Sequence, residues 1–323
     1  MFGERSNIIA LSVIMIVVAI LMSIFLPNKF LTLINFQSMT SQMAEFGLLT
    51  IAMMLTMITG GIDLSVVSTA SLTGIISALI LKGHIGIDVS STSGVLLVIL
   101  AAIIVSGFCG LINGVLIAKV GVTPILATLG TQGLYLGLAI IITKGHGIND
   151  FPEKFLFIGS GTIGKVPMPF VIFIGCVLLV TLILRRTSLG LSMYMVGSNP
   201  TASRFSGINN SIILIKTYVI SGALAGLSSI IMISRVNSVR PGYGYAYLLQ
   251  AILVSILGGT DPYGGSGSIL GVLIALFILQ FLRSGFNILS ISPFFGKSMW
   301  GFMLILVMII NFFLEKNRQR IRK

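Results

Sequence analysis

Long apolar stretches, of about 18 residues or more in most cases, follow one another along the chain and are parted by short polar or glycine-rich segments. Nothing alternates with the period of two that a membrane β-barrel needs. The pattern predicts an all-α, polytopic membrane protein. About ten transmembrane helices are expected, near 8–26, 37–59, 64–81, 94–118, 124–143, 169–184, 211–233, 246–257, 269–289 and 298–314. They form one transmembrane domain over residues 1–323. The eighth is too short to cross upright, so it reads as a half-helix or one leaning on its neighbours. The first run, Ile8–Leu26, has no small-x-small cleavage site after it and reads as a retained span rather than a signal peptide.

The most informative interruption is Ile58-Thr-Gly-Gly-Ile-Asp-Leu-Ser65. An acid at membrane depth costs about 2.5–3.5 kcal/mol on insertion scales, so Asp63 needs a reason to be there. Gly60 and Gly61 break the helix, and irregular backbone within a bilayer is tolerated only inside protein or along a cavity. Asp63 is placed to accept from amides opening the next helix, with Ser65 two residues on. Gly258-Gly259-Thr260-Asp261 echoes this stretch, as corresponding breaks do in transporters built from internal repeats. Further polar residues inside spans are Glu45, Asn113, Thr128, Gln250, Arg283 and Asn287. Each can simply bond a neighbouring helix. Taken together, Asp63, Ser65, Asn113, Thr128, Gln250 and Asn287 are candidates for a hydrophilic translocation path.

Composition agrees with this picture. Hydrophobic residues make up 55% of the chain and charged ones 9%, and the net charge is +12. In a membrane chain that excess has a plain cause in loop lysines and arginines meeting anionic lipid, so nucleic acid is not expected. Arg185, Arg186, Arg204 and Lys216 surround one acid-free loop, and the tail 315–323 carries Lys316, Arg318, Arg320, Arg322 and Lys323. Ten spans put both groups on one side, predicting cytoplasmic termini.

Four glycine pairs at helical spacing, Gly110–Gly114, Gly133–Gly137, Gly222–Gly226 and Gly267–Gly271, are expected to let helices approach closely within the bundle. Residues 159–166 nearly match a phosphate-binding loop, yet Val166 replaces the magnesium-binding hydroxyl and prolines follow at 167 and 169. No nucleotide site is expected. Cys109, Cys176, His84 and His146 are scattered and suggest neither a disulfide framework nor a metal site. No nucleophile elbow, zinc signature or paired carboxylates point to an enzyme.

The inner loop 187–209 contains Ser198-Asn199-Pro200-Thr201-Ala202-Ser203-Arg204-Phe205-Ser206-Gly207. Asn stands at an N-cap, Pro at the first helical position and Gly past the end. A helix this short is marginal alone and must be held by packing. It reads as a docking helix for a cytoplasmic protein, with Phe205 as apolar anchor and Arg204 as charged partner, or as a simple interfacial turn.

TGGIDLS (59–65), GLINGVLIAK (110–119), ATLGT (127–131), GSNPTASRFSGI (197–208) and LGGT with GGSGS (257–260, 264–268) stand in this order. On these segments the chain resembles the permease subunit of bacterial ABC importers for simple sugars, the ribose, galactose, arabinose and autoinducer-2 type. The resemblance implies an inner-membrane permease paired with a second copy or a paralogue. It also implies a cytoplasmic ATPase that binds the ATP, a periplasmic or lipid-anchored solute-binding protein, and contact of residues 198–207 with the ATPase. One departure is Tyr247-Leu248-Leu249-Gln250, where many members carry two acids. Permeases for branched-chain amino acids or nucleosides share the broad fold. An ion-coupled secondary transporter is a third reading, though one expected to carry more intramembrane acids than Glu45 and Asp63.

Overall fold

The structure is a computed structural model that describes residues 2–83, 91–292, 294–296, 298–306 and 309. The basic tail 315–323, His84 and the end of the last expected span lie outside the described residues. Among those described, seven helices are long and apolar enough to cross a bilayer. They are α1 (Phe2–Phe25), α2 (Leu33–Ile58), α4 (Thr92–Val115), α5 (Pro124–Thr143), α7 (Met168–Arg186), α10 (Asn210–Val236) and α12 (Ile269–Ile288). A π-turn, Leu116–Val120, prolongs α4. Two other expected spans are short: α3 (Val66–Leu81) and α11 (Tyr247–Leu257). At 1.5 Å per residue they cover about 24 Å and about 16 Å, less than the roughly 30 Å of hydrocarbon. Residues 298–306 are helical as well.

α2 is the axis of the bundle. Its apolar window is 89% buried inside the chain, against 6% for α1, which rides on α12 at the periphery. α10, α11, α7 and α12 all pack on α2, and α4 packs on α10. The α4–α10 seam is made by glycine. A Cβ added at Gly110 would fall on the Tyr218 carbonyl, and one at Gly222 on the Ser106 carbonyl. Lipid is as apolar as leucine, so such helices associate through close backbone approach rather than hydrophobic drive.

The same spacing misleads at Gly133–Gly137, where an added Cβ meets nothing within 4 Å. Those two glycines face outward, so the expectation that they build the bundle fails within this chain.

Two further segments differ from expectation. Residues 187–209 hold two helices, α8 (Ser188–Ser198) and α9 (Pro200–Phe205), where one was expected. The extra helix is started by Thr187, whose side chain accepts from the Gly190 amide. Glycine twice in eleven residues hid it. The stretch 144–168 is not a bare loop but carries α6 (Glu153–Ser160) and short ladders. β1 (Ile148–Asn149) pairs antiparallel with β4 (Ser238–Val239), Ile148 opposite Val239, and β2 (Thr162–Ile163) pairs with β3 (Val166–Pro167). The glycines of 159–164 thus end a helix and turn a hairpin, with Gly164 at φ +64°.

Candidate coupling surface and buried polar clusters

α9 is capped as its sequence predicts. The Asn199 side chain accepts from the amides of Thr201 and Ala202 at 3.0 and 2.9 Å, and Gly207 takes a φ of +82° past its end. Only Ser203 turns inward, its hydroxyl donating to the Asn210 carbonyl oxygen of the side chain at 2.8 Å. Arg204 is exposed, and Phe205 is 90% exposed. The bare Phe205 ring and the exposed Arg204 guanidinium thus stand side by side at the tip of the helix.

Beneath α9, three backbone segments meet with almost no side chains between them. Gly60 and Gly264 approach so closely that a Cβ on Gly264 would lie 2.9 Å from Gly60 Cα. The Gly265 amide donates to the Ile58 carbonyl at 2.9 Å. A Cβ on Gly197, at the end of α8, would fall on that same carbonyl. The Tyr194 hydroxyl donates to the Gly267 carbonyl at 3.0 Å. The two echoing glycine breaks, 60–63 and 258–261, therefore lie in segments that touch each other, and α8 rests on both.

Four of the six candidate path residues come together behind this junction, around Asp63. Its Oδ1 accepts from the Ser65 amide at 3.0 Å and the Ser65 hydroxyl at 2.7 Å, and Oδ2 from the Ser221 hydroxyl at 3.3 Å. Asn113 Nδ2 donates to Ser65 Oγ, and the Thr131 hydroxyl donates to Asn113 Oδ1, both at 2.7 Å. Thr128 Oγ1 donates to the Ile62 carbonyl at 3.0 Å. A chain of bonds thus runs from Thr131 on α5 through Asn113 on α4 and the Ser65 hydroxyl to the Asp63 carboxylate, which Ser221 on α10 meets from the other side, and each bond in the chain polarises the next. Among the described residues no cation pairs with it. Asp63, Ser65, Asn113 and Thr128 are all buried, so in this conformation they close the protein rather than line an opening.

Gln250 and Asn287 are not part of that group. Asn287 is exposed near the end of α12 remote from α9. Gln250 is buried on α11, with its Oε1 lacking a partner. It stands one turn from Tyr247, which belongs to a second cluster. There Glu45, fully enclosed, accepts at Oε1 from Arg235 Nη2 at 2.6 Å and from the Tyr247 hydroxyl at 2.8 Å. Arg283 lies over the rings of Tyr247 and Phe46, 5.3 and 6.0 Å from their centroids. α2, α10, α11 and α12 are tied together by this set. Sequence reading placed Arg235 just beyond a span and did not single out Gln280, which is buried one turn from Arg283 with both amide atoms unpaired. The available signal was the three-residue spacing of polar groups within apolar runs: Tyr247 with Gln250, and Gln280 with Arg283.

Both cysteines are free, and among the described residues no three of His, Cys, Asp and Glu gather where they could hold a metal ion. Residues 35–310 match the family described as branched-chain amino acid transport system / permease component. The chain is 32% identical over 276 residues to the autoinducer 2 import system permease protein LsrD of Yersinia pestis, covering 84% of this chain and 80% of that one. It is 35% identical over 313 residues to the ribose import permease protein RbsC of Escherichia coli, covering 95% and 93%. No solved structure matches. A bundle of apolar helices around α2, two broken helices meeting at one end and a match over most of the length agree, and the chain belongs to the branched-chain amino acid transport system permease-component family.

Proposed function

We propose that the chain is the membrane-spanning subunit of an ATP-driven importer for a simple sugar or sugar-like solute. It works as one of two permease subunits in the bacterial inner membrane, with both termini in the cytoplasm. A separate ATPase binds the ATP and engages residues 198–207, and an external binding protein delivers the solute. The chain itself carries out no catalysis. The observation that carries this reading is the bare Phe205–Arg204 tip on α9, which follows directly on α8, the helix that rests on both broken-helix segments. A force applied to such a tip reaches the transport core without crossing flexible side chains. The likeness to ribose and autoinducer-2 permeases supports a polyol-like solute over an amino acid.

Reconstitution in proteoliposomes tests the proposal. The purified chain alone should hydrolyse no ATP. With its ATPase, binding protein and partner permease, ATP should drive uptake in the absence of any ion gradient. Uptake that follows an imposed proton or sodium gradient and ignores ATP would overturn the reading.

A further inference from the structure

Buried polar groups without partners are rare in folded proteins, and each calls for an explanation. Tyr218, on α10, is fully enclosed, and among the described residues its hydroxyl meets no partner. Several serine and threonine hydroxyls share that state, but they can turn onto their own helix carbonyls. A phenol oxygen, held at the far end of a rigid ring, cannot. Two other enclosed tyrosines are satisfied: Tyr135 donates to the Cys109 carbonyl at 2.9 Å and Tyr247 to Glu45 at 2.8 Å.

The place of this hydroxyl is specific. It lies against Gly61, where an added Cβ would fall on it, with Pro124 alongside. Asp63 stands two residues on, and it is the one charge whose field reaches Tyr218. Ser221, one turn from Tyr218 on the same face of α10, bonds Asp63 Oδ2 at 3.3 Å. That is long against the roughly 2.5–2.7 Å of a strong hydroxyl–carboxylate bond, and the oxygen can accept a second donor. α10 therefore offers two donors near one carboxylate oxygen, of which one is used, and weakly. The segment that carries Asp63 is also the one that α8 grips. Gly197 closes on the Ile58 carbonyl and Gly264 on Gly60, whose φ is +81°.

We infer that Tyr218 positions Asp63 in a second conformation of the transport cycle. There the 58–63 break has moved along α10 toward α9, and Asp63 Oδ2 has left the Ser221 hydroxyl for that of Tyr218. The inference rests on the importer reading and deepens it, naming the bond that holds the joint once α8 has drawn on it. One hydrogen bond replaces another on the same carboxylate, so Asp63 is stranded in neither conformation. Ser221 is not stranded either, because a helix serine can turn onto its own backbone. Tyr218 has no such alternative, so its bond belongs to the moved conformation alone.

ATP turnover by the permease pair assembled with its ATPase in proteoliposomes reads this movement without knowing the solute. Tyr218→Phe removes a hydroxyl that is unbonded here, so it should melt no lower than the parent and co-purify with the ATPase as before. Its kcat for ATP should still fall about tenfold or more, as loss of one hydrogen bond to a charged group implies. KM for ATP should not change, since the nucleotide binds another subunit. Ser221→Ala removes the bond present here, so it should melt lower and keep kcat no lower than the parent. A Tyr218→Phe chain that melts below the parent, or turns over ATP at the parental rate, would overturn the inference while leaving the importer reading intact. So would a Ser221→Ala complex that loses kcat as Tyr218→Phe does, because both hydroxyls would then serve one conformation. A parent complex that hydrolyses no ATP fails earlier, before any variant is compared, and takes the inference with it.

Discussion

Asp63 and Glu45 are both acids enclosed by protein, yet they are stabilised differently and should respond differently to substitution. Asp63 is held by neutral donors alone, from Ser65 and Ser221. Asparagine can keep the oxygen that faces Ser65 and turn its amide toward a hydroxyl. Asp63→Asn should therefore retain substantial uptake, whereas Asp63→Leu strands the Ser65 and Ser221 donors at about 1–3 kcal/mol each and should impair folding or transport. Uptake by the reconstituted complex, with melting temperature alongside, separates the two; an inactive asparagine variant would favour a titrating role. Glu45 instead holds Arg235 in an ion pair. Removing one partner of a buried pair costs about 3–5 kcal/mol because the other charge is left alone. Arg235 keeps 27% of its side chain exposed and Glu45 none, so Arg235→Leu should destabilise more than Glu45→Leu. The double replacement should be milder than Arg235→Leu alone. Thermal melts of the three variants in detergent check the order.

Among the helices, α9 shows how little intrinsic stability an element needs when its caps and contacts are right. Six residues cannot hold a helix in water. Asn199 caps it, Pro200 opens it, and the Ser203–Asn210 bond fixes its inner side. The other five residues remain outside, and the two large ones among them are Arg204 and Phe205. Truncating an interface anchor costs about 2 kcal/mol or more when it is fully buried by the partner, roughly thirtyfold in affinity. Phe205→Ala and Arg204→Glu should each weaken ATPase binding on that order while leaving membrane insertion unchanged. Equal pull-down of the ATPase by both variants would remove α9 as the docking element.

If α9 is the docking element proposed above, the contacts of α8 couple docking to the broken-helix segments. α8 meets the segments 58–60 and 264–267 through glycine and backbone, and those segments end α2 and lead into α12. A methyl group at Gly197 would strike the Ile58 carbonyl and come 2.5 Å from the Gly265 amide nitrogen. Neither is a flexible side-chain end that can give way. Overpacking of this kind costs about 1–3 kcal/mol, and the cost falls on the joint rather than on the exposed tip. Gly197→Ala should therefore leave ATPase binding within about twofold while uptake falls roughly tenfold or more, the change that 1.4 kcal/mol at the joint produces. Binding and uptake measured on the same preparation decide it: a parallel loss of both would mean that the substitution only damages assembly.

Span positions, the glycine breaks and the cap of α9 were legible in the sequence because each depends on residues close along the chain. A run of apolar side chains is long enough for a bilayer or it is not, and Asn-Pro followed by a distant glycine carries its own geometry. That Asp63 would be met by local donors was legible for a related reason, since an acid beside a helix break has few ways to be satisfied. Partner choice across the bundle was not legible. Glu45 and Arg235 are 190 positions apart, and no local pattern pairs them. Gly110–Gly114 and Gly133–Gly137 have identical spacing, yet one pair lies against α10 and the other against nothing in the chain. Gln280 looks like any polar residue on a helix until its neighbours are known to leave both amide atoms unpaired. Local chemistry determined which segments are helices and where they break; only the packing of those helices decided which polar groups are spent on holding the protein together and which remain free.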